Sequence, residues 1–405
     1  MIDIKILREN PEIVKENIKK KAQLEKLQLV DKILDLDKEW RKSRVEADNL
    51  RAERNKVSEE INKAKKEKNP IDKILKRAKE IPSQIQELET KESKLQEEIK
   101  EGLIKIPNFM WKGVPKGKDS TENVEIKKGG KIRKFDFPIK THVELAEKLN
   151  IADFDASAKV SGKGFYYLKN ELAILNQALI SFAREFMIKK GFEYIETPLM
   201  LNEKEIYASM NKKAIQDSVY EIKDENKGLI GTAEQSLLAM HSGDTLNEIQ
   251  LPKKYFSYSM CFRKEIGAHG INEKGLWRTH QFNKVEQFVF CMPEDSEKIY
   301  EELLKNSEEI LKTLELPYRV LEICTGDLAD WKYRSADLEV WRPTIKEYGE
   351  VMSLSNCTDY QARKLDIRYI SKDGKNKGIV HTLNDTALAT SRILVTILEN
   401  FQQKD

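Results

Sequence analysis

The chain has 405 residues, with 71 Lys/Arg against 68 Asp/Glu and a net charge of +3. At roughly 100–200 residues per domain this length predicts two domains or three, and the near balance of charge excludes a chain that is basic or acidic throughout, so any affinity for nucleic acid has to be local. Cys261, Cys291, Cys324 and Cys357 form no CxxC pair and no disulfide framework, no run of 18 apolar residues is present to span a membrane, and the N-terminal segment lacks an apolar signal core; the expectation is a cytoplasmic protein.

In chain order, the first element is an N-terminal region, residues 1–104, that is polar with helical periodicity. Residues 30–103 carry 19 Lys/Arg and 18 Asp/Glu, and Gly102 is the first glycine in them. Ile33, Leu36, Trp40, Ala47, Leu50, Val57, Ile61 and Ala64 recur at three- and four-residue spacing, with gaps at Ser43 and Arg54. After Lys68-Asn69-Pro70 the pattern restarts through Ile74, Ala78, Ile81, Ile85, Leu88, Leu95 and Ile99. Two such stretches joined by a short turn predict an antiparallel coiled-coil hairpin, each helix about 34 residues or roughly 50 Å long. Pro82 is expected to kink the second helix. Around the tip, Lys63, Lys65, Lys66, Lys68, Lys73, Lys76, Arg77 and Lys79 face only Glu67 and Asp72, a local charge of +6. A phosphate backbone would be held by such a tip; a solvated helical surface rich in lysine explains the same residues.

Residues 105–405 differ. Ile106-Pro107-Asn108 breaks the helix, and a Gly/Lys-rich connector follows. Leu172–Lys190 has helical periodicity, and residues 192–198 form an extended segment ended by Pro198. Gln250–Phe262 and Gln281–Cys291 are predicted as two strands of a long hairpin, Arg368–Ile370 and Lys377–Leu383 as further strands, and Thr386–Phe401 as a helix. Strands with helices packed outside them predict an α+β fold built on an antiparallel sheet.

Four clusters carry chemistry. In Cys261–Glu265 and Trp277–Glu286, inward-facing Arg263, Glu265 and Glu286 put a phosphate-binding fork and carboxylates on one floor, with Phe282 as an aromatic face; a cross-strand ion-pair ladder is the alternative. Thr232 and Glu234 present a hydroxyl and a carboxylate on one side of an extended segment, or else form a helix N-cap with its first-turn acid. Glu350 and Ser353 offer oxygens to a hard cation, or belong to a turn. Asn384, Thr386 and Arg392 lie in a run of small residues at the start of the predicted last helix, and a buried arginine there needs an anionic partner.

Together these segments resemble class II aminoacyl-tRNA synthetases. Arg263/Glu265 with Phe282/Glu286 is similar to motif 2, Arg392 after the small-residue run to motif 3, and the helix before Pro198 to motif 1. The wording of residues 142–162, of Thr232–Gln235, of the motif 2 strands and of Asn356–Arg363 is most similar to the seryl-tRNA synthetase family, along essentially the whole chain. The resemblance implies a helical tRNA-binding region, 1–104, on a class II catalytic domain, 105–405. It implies serine bound through Thr232, Glu234, Arg263, Glu286, Asn384 and Thr386. It implies ATP bound through Arg263, Glu265, Arg278, Thr279, Phe282, Glu350, Ser353 and Arg392, with Arg263 and Arg392 catalytic and Mg²⁺ held with ATP by Glu350 and Ser353. It further implies a homodimer, from motif 1, and a tRNA(Ser) partner, together with tRNA(Sec) where that tRNA exists, met at the arm tip by Lys63, Lys65, Lys66, Lys68, Lys73, Lys76 and Arg77. No zinc is expected, since His142, His241, His269, His280 and His381 are dispersed. Asp385 stands where many bacterial members carry glycine, and the loop 268–274 lacks the arginines often found there. An RNA-binding paralogue without catalysis is the second reading; the intact Arg263, Glu265, Glu286, Glu350 and Arg392 argue against it.

Overall fold

The computed structural model describes residues 1–266, 270 and 273–404. Most of the loop 268–274, including His269, lies outside them. Residues Ile2–Pro107 pack as one unit and the chain from Asn108 onward as another.

In the first unit, α1 (Leu27–Glu67) and α2 (Asp72–Lys105) form the hairpin. Its antiparallel register is visible in three ion pairs: Arg77 with Glu53, Arg51 with Glu89 and Lys91 with Glu39. Moving up one helix moves down the other. Val57, Ile81 and Ile85 are buried in the seam, flanked by Leu50, Ile61, Ile74 and Ala78, as their spacing requires. Ser43, a gap in the apolar pattern, is also buried there. Lys68, with φ of 56°, ends α1 in the left-handed region. Gly102 permits the closest approach, because a Cβ there would lie 2.7 Å from Ile33 Cγ1. Pro82 lies inside α2 without interrupting it: the helix is continuous from Asp72 to Lys105. Losing one backbone hydrogen bond inside 34 residues is outweighed by the buried seam on both sides of it.

The second unit is built on an eight-stranded sheet. Its strands are β1 (Val124–Gly129), β2 (Glu193–Tyr194), β3 (Lys253–Phe262), β4 (Gln281–Cys291), β5 (Tyr318–Glu322), β6 (Arg334–Arg342), β7 (Glu347–Thr358) and β8 (His381–Ala389). Their spatial order is β1-β5-β6-β7-β8-β4-β3-β2, antiparallel throughout except for the β2/β3 edge pair. Helices α3 (Asn170–Lys189), α5 (Ser296–Thr313) and α6 (Thr390–Phe401) pack Leu172, Leu179, Ala183, Tyr300, Leu303, Ile310 and Ile393 into a core shared with Val285, Val289, Leu338 and Leu354 of the sheet. A seven-residue helix, α4 (Ala233–Ala239), lies under the site.

Three sequence expectations change. The last helix begins at Thr390, not Thr386, because β8 runs to Ala389 as a central strand hydrogen-bonded to both β7 and β4. The segment Lys377–Leu383 is two strands: Lys377–Ile379 pairs with Arg368–Ile370 in a separate small sheet, and β8 starts at His381. On the hairpin, β3 starts at Lys253, after Pro252, which has no N–H to give the ladder.

Candidate active site

The central strands present one face to a cavity of about 530 Å³. Side chains alternate along a strand, so Phe282 and Lys284 of β4, Ser353 and Ser355 of β7, and Asn384 and Thr386 of β8 all reach it. Thr386 stands beside Glu286, and Asn384 beside Ser355, in the ladder. Twelve of the thirteen residues nominated for serine, ATP and metal line this one cavity: Thr232, Glu234, Arg263, Glu265, Arg278, Thr279, Phe282, Glu350, Ser353, Asn384, Thr386 and Arg392. Glu286 does not line it. It is fully buried on the same face of β4 as Phe282 and Lys284, beside Thr386, in an ion pair with Lys284.

Thr232 and Glu234 are positioned by the N-terminus of α4. Thr232 is its N-cap and accepts from the Glu234 N–H at 3.3 Å. The N-cap alternative is therefore the local structure, and both side chains still face the cavity. Gln361 donates to Glu234 Oε1 at 2.7 Å and to the Ser209 carbonyl at 2.9 Å, while accepting from Thr382 at 2.8 Å. Burial raises the Glu234 carboxyl above its ordinary range and the charge of Glu286 adds to this; Gln361, Lys284 and Lys332 oppose it.

Arg263 and Glu265 are not strand residues, contrary to the ladder expected for them: β3 ends at Phe262, and Glu265 has φ of 51°. Arg263 is held by backbone instead. Its N–H donates to the His280 carbonyl at 2.9 Å, its Nε donates to the Gly231 carbonyl at 3.0 Å, and its guanidinium lies 5.2 Å above the Phe282 ring. The part of the fork not used by Gly231 is left for a ligand. Arg278 donates to Glu265 Oε2 at 3.1 Å. Around them Arg278 Nε, Thr279 Oγ1 and Asn384 Nδ2 are buried without a hydrogen-bond partner among the described residues, the condition expected of groups that await a polar ligand.

Glu350 and Ser353 lie on β7 rather than in a turn. Arg392 Nη1 donates to the Glu350 carbonyl at 2.7 Å and sits 3.1 Å from its carboxylate. Burial raises the Glu350 carboxyl, but the charge and hydrogen bond of Arg392, with Arg263 and Lys332, outweigh burial and hold it below its usual range. On β6, opposite Ser353 in the ladder, Asp337 is pushed up to about 7 by burial and by the charge of Glu350.

Sequence reasoning missed several groups. Lys284 and Lys332 line the cavity; Lys332 Nζ donates to Ser335 at 3.1 Å and to Ser353 at 3.4 Å. Trp277 also lines it, with Arg342 4.3 Å and Arg392 5.5 Å from its ring centre and the bare backbone of Gly349 against its edge. Lys284 stood inside the quoted motif 2 wording, a lysine two residues before a buried acid on a strand, and that was the available signal. Trp277 and Lys332 are placed by tertiary pairing alone. Asp385 faces the other way, toward α5, where its Oδ2 lies 2.5 Å from Ser307 Oγ and accepts from Gln287 Nε2 at 3.1 Å.

In the arm unit, Lys63, Lys65, Lys66, Lys68, Lys73 and Lys76 are exposed. Arg77 differs: Glu53 takes it in a two-pronged pair at 2.6 and 2.7 Å.

Comparison with known proteins agrees with this geometry. The model of the seryl-tRNA synthetase N-terminal domain matches residues 1–110, and that of the tRNA synthetase class II core domain (G, H, P, S and T) matches residues 219–401. A serine–tRNA ligase of Methanocella arvoryzae is 44% identical, covering 100% of this chain and 96% of the relative. The crystal structure of seryl-tRNA synthetase from Pyrococcus horikoshii complexed with ATP aligns at a TM-score of 0.94 with 43% identity, over 100% of this chain and 95% of that one. The cytoplasmic serine–tRNA ligase of Naegleria fowleri, in complex with AMP, aligns at 0.88 with 32% identity, over 100% and 94%. With a hairpin arm, an antiparallel class II sheet and full-length relatives of more than 40% identity, the chain belongs to the seryl-tRNA synthetase family.

Proposed function

We propose that the protein activates L-serine with ATP and transfers it to tRNA, as a class II serine–tRNA ligase. The observation that carries this is the single cavity in which twelve separately nominated residues meet, in a chain 44% identical along its full length to a serine–tRNA ligase.

The division of labour is the one the family resemblance implies, and the lining of the cavity supports it. The serine ammonium goes to the buried acids at Glu234 and Glu286, and its carboxylate to the free edge of Arg263. The hydroxyl goes to the floor formed by Asn384 and Thr386. Buried polar groups that a hydroxyl satisfies and alanine leaves unpaired give strong discrimination. The adenine ring stacks on Phe282 beside Glu265, Arg278 and Thr279. Arg263 meets the α-phosphate and Arg392 the terminal phosphate. The serine carboxylate attacks the α-phosphorus, the bond to the β-phosphate oxygen breaks, and pyrophosphate leaves; a ribose hydroxyl of the tRNA then attacks the carbonyl carbon of the resulting mixed anhydride, the bond from that carbon to the phosphate oxygen breaks, and AMP leaves as the hydroxyl gives up its proton. No protein nucleophile is required. Orientation and fixed positive charge lower the barrier.

Glu350 and Ser353 fit Mg²⁺. Mg²⁺ is usually held by one or two carboxylates plus substrate phosphates, and the Glu350 carboxylate is kept ionised and open to the cavity. When bound with ATP, the ion would neutralise phosphate charge. The exposed lysines of the arm tip supply the tRNA contact, with Arg77 bracing the hairpin, and the family's motif 1 pairing makes the protein a homodimer. Charging of unfractionated tRNA with labelled serine tests the proposal: acid-precipitable serine that depends on both ATP and tRNA is expected, and its absence with a folded protein would overturn it.

A further inference from the structure

The amino-acid end of the cavity contains a cation of its own. Lys284 lines the cavity, is 8% exposed, donates to Thr232 Oγ1 at 3.2 Å and forms an ion pair with Glu286. Beyond that pair, neither oxygen of the fully buried Glu286 has a hydrogen-bond partner. Glu234 is the second buried acid of the same end and has Gln361 as its neutral partner. Two buried carboxylates thus share one adjacent ammonium. The charged and titratable groups facing Glu234 are Glu286 and Lys284 of β4, Lys332 and Cys357. Those facing Glu286 and Lys284 also include Cys261 of β3 and Asp385 of β8. Lys332 spends its ammonium on two serine hydroxyls.

We propose that Lys284 is a positioning residue that presets the substrate-ammonium subsite: its ammonium pairs with Glu286 and is fixed by Thr232, which leaves Glu234 as the acid open to the α-ammonium of the incoming amino acid. This deepens the proposed function and rests on it. An isolated buried carboxylate neutralises itself by taking a proton. With Lys284 present, the pair carries one uncompensated charge, and a zwitterion whose carboxylate is taken by Arg263 brings the matching cation. Thr232, fixed as the cap of α4, aligns the lysine through its hydroxyl, so the subsite is built before the substrate arrives. Burial and the neighbouring Glu286 already push Glu234 upward, and Lys284 is among the groups that restrain it. Removing the lysine therefore lets the Glu234 carboxyl move further upward.

The test is serine-dependent ATP–pyrophosphate exchange on the full chain between about pH 6 and about pH 9.5, a span that lies above the ordinary carboxyl range. Lys284→Met keeps the apolar stem. Its kcat/KM for serine is expected to fall roughly tenfold to a hundredfold near neutrality, with the KM for ATP unchanged, and the deficit is expected to shrink as pH rises. Lys284→Ala, with the stem removed, is expected to regain several-fold activity with ethylammonium chloride and none with sodium chloride at equal ionic strength. Serine and ATP constants that move together, a deficit independent of pH, or an absence of amine rescue in a variant that melts cooperatively would make Lys284 a packing residue and overturn the inference. If the parent protein activates no serine, the proposed function falls and takes this inference with it; if the parent does and the variants match it, only the inference falls.

Discussion

Asp385 has a consequence that can be worked out from geometry. Its neighbours Asn384 and Thr386 line the cavity, but Asp385 projects from the opposite face of β8 into a closed network with Ser307, Gln287 and Asn306. Burial drives its carboxyl well above the ordinary range, and the hydrogen bond from Ser307 opposes this. Ser307 Oγ donates to Asp385 Oδ2 at 2.5 Å and lies 3.2 Å from the Thr386 carbonyl, while Gln287 Nε2 donates to the same carboxyl oxygen at 3.1 Å. Asp385→Asn keeps an acceptor for Gln287 and forfeits one hydrogen bond, about 1 kcal/mol. Asp385→Leu strands both donors, at about 1–3 kcal/mol each, and lowers Tm by roughly 4–24 °C at 2–4 °C per kcal/mol. The pH dependence has a definite sign. A carboxyl raised in the folded state favours folding below its unfolded value near 4, and that contribution is lost as pH rises through the folded value. The parent's disadvantage from ionising a buried acid is absent in Asp385→Asn, so the Tm gap between them narrows as pH rises above about 4. Scanning calorimetry across that range, with pyrophosphate exchange at each pH, is the assay. Exchange in Asp385→Asn is expected within about threefold of the parent, a difference of less than 1 kcal/mol. A Tm gap independent of pH, or a folded variant with exchange lost by more than a factor of about 100, would refute the assignment of Asp385 to the scaffold.

Other outcomes follow from the same contacts. Arg263→Ala and Arg392→Ala are expected to lower exchange by at least about a hundredfold, the scale of losing a preorganised charge, with melting unchanged; near-normal exchange in both would sink the phosphate assignment. Trp277→Leu removes the ring that Arg342 and Arg392 flank, so the KM for ATP should rise roughly tenfold while the KM for serine stays, and Trp277→Tyr should restore most of it. Reversing Lys65, Lys66 and Lys73 to Glu should weaken tRNA charging and flatten its salt dependence without touching exchange. Burial raises the Glu399 carboxyl, but hydrogen bonds from His142 and Arg342 hold it down at about 2. It therefore contributes about 3 kcal/mol above its unfolded value, lost as pH falls from about 5 towards about 2, and Glu399→Gln should flatten the acid limb of the Tm profile.

Much of this was visible in the sequence, for local reasons. The hairpin is written in spacing, since each seam residue lies near its partners along a helix and the turn is marked by Lys68-Asn69-Pro70. The cavity residues were legible by type: a guanidinium, an aromatic and carboxylates on adjacent strands. The helix start at 386 was misread because small and apolar residues over 383–398 satisfy both periods, and only pairing with β4 and β7 decides for strand. Pro82 drew attention because the cost of a lost hydrogen bond is local, whereas the seam that offsets it is not. The orientation of Asp385 also needed the register: one residue either way and it would have faced the substrate. Lys284 and Trp277 gain meaning only with Thr232, Arg342 and Arg392, which come from distant segments of the chain.

The central claim is that this cavity activates serine, and ATP–pyrophosphate exchange with each amino acid in turn, in Mg²⁺ and without tRNA, tests it most directly. The account predicts exchange with serine, little with threonine and none with alanine. No exchange with serine from a folded protein, or equal exchange with alanine, would contradict it.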